Sequence, residues 1–302
     1  MRNNMLTNER RTTLDWGNLV FGYTDTDVNV RCTYKDGKWG NLYLHTDKYI
    51  SIHIASTCLQ YAQEAFEGLK AFRGIDGKIR IFRIEENAKR LQSSADGMLM
   101  PQVPTDLFID AVTWAVRRNL RFLPPYQSGA SLYIRPILIG TSPRIGVNPG
   151  DQYEFIVLVS PVGPYFKEGF GCTPFVIIRD YDRAAPLGTG QLKVGGNYAS
   201  GFRADLKAHS MGASCLYLDA KEKKYIDECS GANFYCIKDD TYITPKSTSI
   251  LPSITNRSLM QLARDMGMKV EERKLRVEEL AEMSEAGSCG TGAVISPISK
   301  VI

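Results

Sequence analysis

The stretch PLGTGQLKVGGNYASGF, residues 186–202, carries two glycines before Lys193 and two directly after Val194. Glycine clusters occur where the backbone bends sharply or approaches a ligand closely. A lysine held in such a place loses hydration, which lowers the pKa of its amine and frees it to act as a nucleophile or base. The stretch therefore makes Lys193 a Schiff-base candidate, with a solvated loop lysine as the alternative. A Walker-type phosphate loop is excluded because Val194, not Ser or Thr, follows the lysine.

A second signal lies in LPSITNRSLMQLARDMG, residues 251–267. Ser253 can cap a helix whose first amides, including those of Ile254 and Thr255, have no acceptor within the helix and carry the positive end of its dipole. Such a helix start can bind a phosphate. Arg83, at the end of KIRIFR, can add a bidentate guanidinium to the same anion. The alternatives are an ordinary capped surface helix and a solvated arginine.

A third signal is Glu228 in YIDECSGANF, residues 225–234, where a short strand ends among small residues. A buried carboxylate needs a cationic partner to stay ionised, and a protonated ring nitrogen would serve. A surface ion pair is the alternative. By themselves these patterns indicate a two-domain protein with helices and strands that binds a phosphate-bearing ligand.

Composition narrows the class of protein. The 302 residues include 37 Lys and Arg against 33 Asp and Glu, with 43% hydrophobic residues, which is ordinary globular composition without a basic block for nucleic acid. Seven cysteines without a CxxC pair indicate a reducing, cytoplasmic location, and three histidines without metal-ligand spacing argue against a metal site. The N-terminus has no apolar signal region, and the longest apolar run, 155–159, is too short to span a bilayer.

Two prolines and several glycines in residues 161–171 indicate a linker between an N-terminal domain, 1–160, and a C-terminal domain, 172–302. Hairpins are expected around Asp36-Gly37 and Asp76-Gly77. Helices are expected near 84–98, 105–122, 197–212 and 253–266. Strands are expected near 131–140, 153–160, 173–179, 214–219, 224–228, 232–238, 268–273 and 292–297. Because helices and strands do not alternate strictly, a doubly wound sheet is not expected.

An ordered set of motifs covers almost the whole chain: YAQEAFEGLKAFRG, IFRIEENAKRL, YIRPILIG, VGPYF, GTGQLKVGGNYA, YIDECSGANF, SILPSITNRSL and SCGTGAVISP. Together they resemble the branched-chain amino acid aminotransferases of bacterial type, which are pyridoxal-phosphate enzymes of fold type IV. The resemblance implies an α+β fold with a small N-terminal α/β domain, a larger C-terminal pseudo-barrel domain and the cofactor between them. It also implies a cytoplasmic homodimer that acts on small molecules.

The resemblance assigns the cofactor residues one by one. Lys193 would form the internal aldimine and later shuttle the proton between Cα and C4′, Tyr198 would bond the phenolic oxygen, and Glu228 would hold the ring nitrogen protonated. The phosphate would be held by Arg83, the amides of Ile254 and Thr255, and the hydroxyl of Thr291, with Leu251 against the ring and Arg183 as a second cation near the phosphate.

The resemblance also assigns the substrate residues, for reversible transamination of L-leucine, L-isoleucine and L-valine with 2-oxoglutarate. The aliphatic side chain would lie among Tyr61, Phe66 and Tyr165. The carboxylate would lie near Tyr133, Arg135 and the backbone at Gly292. An apolar pocket discriminates poorly among the three amino acids, because one methylene is worth only about 1 to 3 kcal/mol.

The chain departs from the family at three places. Gly292 and Ser230 stand where many members have Ala and Gly, and Ala293 and Ser296 stand where mammalian members have a redox CxxC pair. The chain also stops at Ile302, where members usually continue, so the C-terminal domain is expected to be truncated. D-amino acid aminotransferases and aminodeoxychorismate lyases of the same fold remain an alternative, as does a non-catalytic phosphate-ligand binding protein.

Overall fold

A computed structural model describes residues 14–164 and 171–302. The chain divides into two compact units, Met1–Lys167 and Glu168–Ile302. Residues 161 and 162 continue a strand of the first unit, and 165–170 lie outside the described residues. Within the described ranges, no helix is both long and apolar enough to cross a membrane.

The first unit combines one sheet with helices. Its strands are β1 (Asn29–Lys35), β2 (Lys38–Trp39), β3 (Tyr43–His45), β4 (Glu64–Phe66), β5 (Leu69–Arg73), β6 (Ile79–Ile81), β7 (Ser131–Gly140) and β8 (Tyr153–Val162). Its helices are α1 (Thr57–Tyr61), α2 (Ile84–Gly97) and α3 (Thr105–Arg118), with short 3-10 turns at Trp16–Asn18, Leu120–Phe122 and Tyr126–Ser128.

The sheet of the first unit runs in the order β2-β1-β8-β7-β5-β6, with β3 paired to β1 and β4 paired to β7. Helix α3 buries Phe108, Ala111, Val112 and Ala115 at helical spacing and packs on β1, β7 and β8. Along β7, Ile134 is fully buried while its neighbours Tyr133 and Arg135 are only partly buried. Because successive strand residues point to opposite faces, Tyr133 and Arg135 lie on one face together.

The second unit is built on another sheet. Its strands are β9 (Thr173–Ile178), β10 (Ser214–Leu218), β11 (Ile226–Cys229), β12 (Asn233–Lys238), β13 (Thr241–Pro245), β14 (Lys269–Arg273), β15 (Glu285–Gly290) and β16 (Val294–Val301). Its helices are α4 (Gly195–Ala199), α5 (Phe202–Ser210) and α6 (Ile254–Asp265), with a 3-10 turn at Val277–Glu282.

This second sheet curls until its edges meet. Its order is β11-β10-β9-β16-β15-β12-β13-β14, so β11 and β14 are the two edges. The segment after β14 nevertheless bonds to the β11 edge: the amide of Ile226 donates to the carbonyl of Leu275 at 2.8 Å, and that of Val277 to Lys224 at 2.9 Å. The core inside includes Leu216, Phe234 and Leu275. The curled sheet agrees with the expected α+β fold and pseudo-barrel.

In the second unit the structure departs from the sequence expectations at a helix and at a strand that was not predicted. The helix expected at 197–212 is broken between α4 and α5. The side chain of Asn197 ties α4 to the preceding loop, because it donates to the carbonyls of Thr189 at 2.7 Å and Leu192 at 2.9 Å. The strand expected near 292–297 is present as β16, the second strand of the β15–β16 hairpin. Its hairpin partner β15 was not predicted. β15 has the sequence EAGSCG, which carries no alternating apolar signal.

Candidate active site

Lys193 lies in the glycine-rich turn directly before α4. Its Nζ donates a hydrogen bond to the Tyr198 hydroxyl at 2.8 Å, and the side chain is half-buried. The turn is held by Asn197 on the far side, through its bonds to Thr189 and Leu192. The sequence stretch 186–202 therefore presents one amine against one phenolic hydroxyl.

Glu228 ends strand β11 as a fully buried carboxylate. Its Oε1 lies 2.5 Å from Nε of Arg183 and accepts a hydrogen bond from the amide of Leu251 at 3.2 Å, while Oε2 accepts one from Nδ2 of Asn233 at 3.3 Å. Burial raises the pKa of Glu228 to about 7, and the charges of Arg183 and Lys193 oppose that rise. Glu228 is thus a buried carboxyl group with Lys193 in its electrostatic reach.

Helix α6 begins next to this carboxylate. The Ser253 Oγ accepts from the amide of Asn256 at 3.1 Å, so the cap uses one first-turn amide and leaves those of Ile254 and Thr255 without an acceptor inside the helix. The side chain of Asn256 anchors the helix start: it accepts from the Tyr242 hydroxyl at 2.7 Å and donates to Thr244 at 2.9 Å. Leu251, which donates to Glu228, stands only three residues before the helix.

Thr291 and Gly292 lie in the turn between β15 and β16. Cys289, two residues earlier, pairs in register with Asn233, the residue that donates to Glu228. Cys289 also interacts electrostatically with Glu228, and burial raises the pKa of its thiol to about 12. The β15–β16 turn therefore belongs to the same end of the sheet as Glu228.

Arg183 was expected near the phosphate, and the structure shows which protein groups its guanidinium contacts. Its Nη1 donates to the carbonyls of Ser249 at 2.5 Å and Gly190 at 3.1 Å, besides the contact of Nε with Glu228. The described contacts of its guanidinium are thus with the carboxylate and two backbone carbonyls.

The first unit brings three of the predicted substrate residues together. The guanidinium carbon of Arg135 lies 4.6 Å from the ring centroid of Phe66 and 5.3 Å from that of Tyr133, and Nη2 donates to the Tyr133 hydroxyl at 2.9 Å. The Nε of Arg135 is buried without a hydrogen-bond partner among the described residues. Arg135 thus has a donor left for an anion.

The other residues predicted for the site in the sequence range of the first unit are Arg83, Tyr61 and Tyr165. Arg83 precedes α2 at the N-cap position with φ at 50°, a left-handed backbone that is rare outside glycine, and its guanidinium carbon lies 5.7 Å from the Phe82 ring centroid. Tyr61 ends α1 and donates its hydroxyl to the carbonyl of Ile145. Tyr165 lies outside the described residues.

Several residues that contact these sites were not predicted from the sequence. Asn233 donates both to Glu228 and, at 2.9 Å, to the carbonyl of Leu251. A Cβ on Gly68 would lie 2.2 Å from the Tyr133 hydroxyl, so only glycine lets that ring approach. Glu67 is fully buried and is bonded by Arg90 through Nε at 2.7 Å and Nη2 at 2.9 Å. Two of these residues do stand out in the sequence. Glu67 is a charged residue inside the apolar run FEGL, and Asn233 is an asparagine in SGANF.

Comparison with known proteins agrees with this arrangement. Residues 64–301 match the family model described as Amino-transferase class IV. A branched-chain-amino-acid aminotransferase from Haemophilus influenzae is 48% identical over 296 residues, covering 95% of this chain and 86% of the relative. One from Helicobacter pylori is 47% identical over 293 residues with the same coverage of 95% and 86%.

Solved structures show the same likeness. The crystal structure of the Escherichia coli branched-chain amino acid aminotransferase superposes with a TM-score of 0.78 at 28% identity, covering 91% of this chain and 86% of that one. The T.th. branched-chain amino acid aminotransferase complexed with N-(5'-phosphopyridoxyl)-L-glutamate superposes with a TM-score of 0.72 at 26% identity, covering 89% and 85%. The chain belongs to the class IV aminotransferases and, among them, to the branched-chain-amino-acid aminotransferase family.

Proposed function

We propose that this chain catalyses the reversible transfer of an amino group between L-leucine, L-isoleucine or L-valine and 2-oxoglutarate, with pyridoxal phosphate held on Lys193. The observation that carries the proposal is the placement of the Lys193 amine 2.8 Å from the Tyr198 hydroxyl and within electrostatic reach of the buried Glu228 carboxylate. The substrate class is supported by relatives that bear the branched-chain name and align with this chain over 86% of their length.

The residues of the second unit fit this cofactor chemically. A carboxylate as deeply buried as Glu228 gains from another hydrogen-bond donor, which a protonated ring nitrogen would supply. The start of α6, with the amides of Ile254 and Thr255, suits a phosphate. Thr291 and Leu251 would complete that side, Tyr198 would hold the phenolic oxygen, and Arg83 of the first unit would add a guanidinium to the phosphate.

The chemistry then divides between cofactor and protein. When bound, pyridoxal phosphate supplies the electron-withdrawing ring that makes the Cα–H of the amino-acid substrate acidic. Lys193 would be the general base and acid: its Nζ would take the proton from Cα of the amino-acid donor, and in the second half of the reaction it would give a proton to C2 of the 2-oxo acid. The Tyr198 hydroxyl orients that Nζ, and Glu228 would hold a proton at the ring nitrogen of the bound cofactor.

The first unit offers groups for the substrate. The buried Nε of Arg135 can donate to a carboxylate, and Tyr133 holds the guanidinium in place. The ring of Phe66 packs on the same guanidinium and offers apolar surface for an aliphatic side chain. Tyr61, Tyr165 and the backbone at Gly292 are proposed to complete the pocket.

We also propose a homodimer in the cytoplasm. The first unit exposes large apolar side chains at Tyr49, Ile54, Ile145 and Val147, each more than three-quarters accessible in the single chain. Where such side chains form a contiguous patch, they mark a protein interface. The seven cysteines are free thiols, which fits a reducing compartment. Sedimentation velocity of the loaded protein should give twice the mass of one chain, and a monomer at micromolar concentration would contradict the dimer.

Borohydride reduction tests the chemistry directly. The protein loaded with pyridoxal phosphate is reduced and digested, and mass spectrometry should place the phosphopyridoxyl group on the peptide that contains Lys193. The Lys193→Ala protein should fold but carry no label and lose transamination. Lys207→Ala, which removes a surface lysine paired with Asp180, should be labelled like the parent. A label on a different lysine of the parent would reject the assignment.

A donor panel tests the substrate class. We expect L-leucine, L-isoleucine and L-valine to serve as donors with 2-oxoglutarate as the acceptor, because Lys193 would take the Cα proton from one face only. Efficient turnover of D-alanine without activity on L-leucine would contradict the proposal in favour of a D-amino acid aminotransferase.

A further inference from the structure

Arg183 makes more contacts to the catalytic end of the second unit than its place in the sequence suggests. It lies in the connection that follows β9, and its side chain is only 11% exposed. Two of its nitrogens contact three acceptors: Nε contacts the Glu228 carboxylate, and Nη1 donates to the carbonyls of Ser249 and Gly190. Because a guanidinium is planar and always charged, these contacts fix the relative positions of the acceptors.

The three acceptors stand on three different segments of the site. Gly190 lies three residues before Lys193, Glu228 ends β11, and Ser249 lies two residues before Leu251. The segments are also in direct contact, because a Cβ on Gly190 would lie 2.2 Å from the carbonyl oxygen of Ser249. Arg183 thus holds the loop of the candidate nucleophile, the buried carboxylate and the approach to α6 together.

The charges around Glu228 give Arg183 a second effect. Burial raises the pKa of Glu228, the neighbouring Asp227 raises it further, and Arg183 is the largest influence that lowers it, followed by the Leu251 amide and then Lys193. The adjacent thiols of Cys229 and Cys289 contribute no charge at neutral pH, because burial raises the pKa of both. Without Arg183, burial and Asp227 would be opposed only by the Leu251 amide and Lys193.

Asp227 is a second buried carboxyl group next to Glu228. Its Oδ2 accepts from the Ser249 hydroxyl at 2.7 Å, and its Oδ1 is buried without a hydrogen-bond partner among the described residues. Burial raises the pKa of Asp227, hydrogen bonds from the side chains of Ser249 and Ser247 lower it, and the charge of Arg183 lowers it to a smaller extent. Arg183 therefore serves two neighbouring buried carboxyl groups at once.

We propose that Arg183 is a positioning residue of this enzyme that acts through Glu228, which it keeps charged and in place, and not through contact with the cofactor phosphate or the substrate. The proposal rests on the proposed function, since Glu228 matters for catalysis only if it meets a protonated ring nitrogen. It assigns to Arg183 a role different from the second phosphate cation implied by the resemblance.

Binding of two probes separates the two roles. Affinities for pyridoxal 5'-phosphate and for pyridoxal, which lacks the phosphate, are measured by absorbance titration of the cofactor-free protein. If Arg183 acts through Glu228, Arg183→Met should weaken both probes by the same factor, on the order of tenfold for one unit of pKa change at Glu228. If Arg183 binds the phosphate, only pyridoxal 5'-phosphate should bind more weakly, and that result would overturn the proposal.

Two further variants exclude a merely structural role. In the Glu228→Gln background, Arg183→Met should have no further effect on either affinity, whereas a general packing defect would persist there. Arg183→Lys, which keeps a charge but loses the fork, should recover part of the affinity. Arg273→Met removes a guanidinium of the same unit that pairs with Glu279 away from Glu228, and it should leave both affinities unchanged.

The coupling between Arg183 and Glu228 can also be measured in the cofactor-free protein. This test still applies if the parent binds no pyridoxal phosphate, an outcome that would reject the proposed function. The difference in unfolding free energy between Arg183→Met and Arg183→Met/Glu228→Gln should keep falling with rising pH above pH 8, where the corresponding difference for the parent is flat, because Glu228 would titrate later than in the parent. The same titration midpoint with and without Arg183 would refute the coupling of the two residues.

Discussion

The Glu228 carboxylate is buried away from water and is surrounded by hydrogen-bond donors: the Arg183 guanidinium, the Leu251 amide and the Asn233 side chain. Burial still dominates, and it raises the pKa of the carboxyl to about 7. An isolated buried carboxylate would simply take up a proton, whereas here the surrounding charges leave the group near the middle of its titration at neutral pH. A cationic ring nitrogen would shift that balance fully to the carboxylate.

The raised pKa predicts how the stability of the cofactor-free protein depends on pH. Between the ordinary value of 4.5 and the folded value of about 7, the folded state binds more protons at Glu228 than the unfolded state does. Stability contributed by this group is therefore present below pH 4.5 and is lost as the pH rises to about 7, by about 3 kcal/mol at most.

Chemical denaturation between pH 4 and pH 8 measures this loss as a difference between the parent and Glu228→Gln. The difference in unfolding free energy should fall with rising pH and become flat above pH 8. A difference that rises with pH would mean that Arg183 outweighs burial and that the pKa of Glu228 is lowered.

At the scale of elements, the loop that carries Lys193 is positioned by close backbone packing. Gly190 lies against Ser249 with no space for a side chain, whereas Gly196, on α4, has nothing within 4 Å of a Cβ. The two glycines flank the same lysine, so they form a matched pair for testing which one is required by packing.

Gly190→Ala should therefore destabilise the cofactor-free protein by about 1 to 3 kcal/mol, because an added methyl group must push apart two backbones. Gly196→Ala should change its stability by less than about 1 kcal/mol and should not destabilise the helix, where Ala is preferred to Gly. Thermal unfolding of both variants measures the difference. Equal destabilisation by the two would show that the contact between Gly190 and Ser249 can relax.

Helix α2 is joined to the connection between β4 and β5 by a buried ion pair. The Glu67 carboxylate is fully buried, Arg90 bonds it through two nitrogens, and Asn87 adds a bond at 2.7 Å. This joint fixes the strand that carries Phe66 relative to the helix that follows Arg83. Breaking one partner of such a pair leaves a buried charge without compensation.

Arg90→Met should accordingly lower the unfolding free energy by about 3 to 5 kcal/mol. Its neighbour Lys89 provides the control, because Lys89 pairs with Glu86 on the exposed side of the same helix and its side chain is 66% exposed. Lys89→Met should cost less than about 1 kcal/mol. Urea denaturation of both variants measures the two costs, and similar values would contradict the role of the Glu67–Arg90 pair.

At the scale of the whole molecule, two groups of candidate functional residues lie on different units. Phe66, Tyr133 and Arg135 cluster on the first unit, and Lys193, Tyr198 and Glu228 belong to the second. If the first group binds substrate and the second binds cofactor, then substitutions in each unit should change different observables.

Arg135→Met should raise the KM for 2-oxoglutarate by about 10- to 100-fold, the loss expected for a charged hydrogen bond, while the absorbance spectrum of the bound cofactor stays unchanged. Glu228→Gln should change that spectrum and lower kcat. Arg117→Met, an exposed arginine on α3, is the control and should do neither. A spectral change in Arg135→Met with an unchanged KM would reverse the assignment.

The sequence by itself determined the features that depend on a few neighbouring residues. The Asp36-Gly37 turn, the Ser253 cap of α6 and the glycine-flanked Lys193 follow from local backbone chemistry, and the ordered motifs identified the family. These features are readable because each needs only residues a few positions apart.

Only the tertiary structure decided which distant residues meet. Arg183 reaches Glu228, Glu67 pairs with Arg90, and Gly68 admits the Tyr133 hydroxyl, yet no local pattern connects the members of these pairs. Their contacts depend on strand order and register, which are set by the packing of whole sheets, and on burial, which decides whether a charge must find a partner at all.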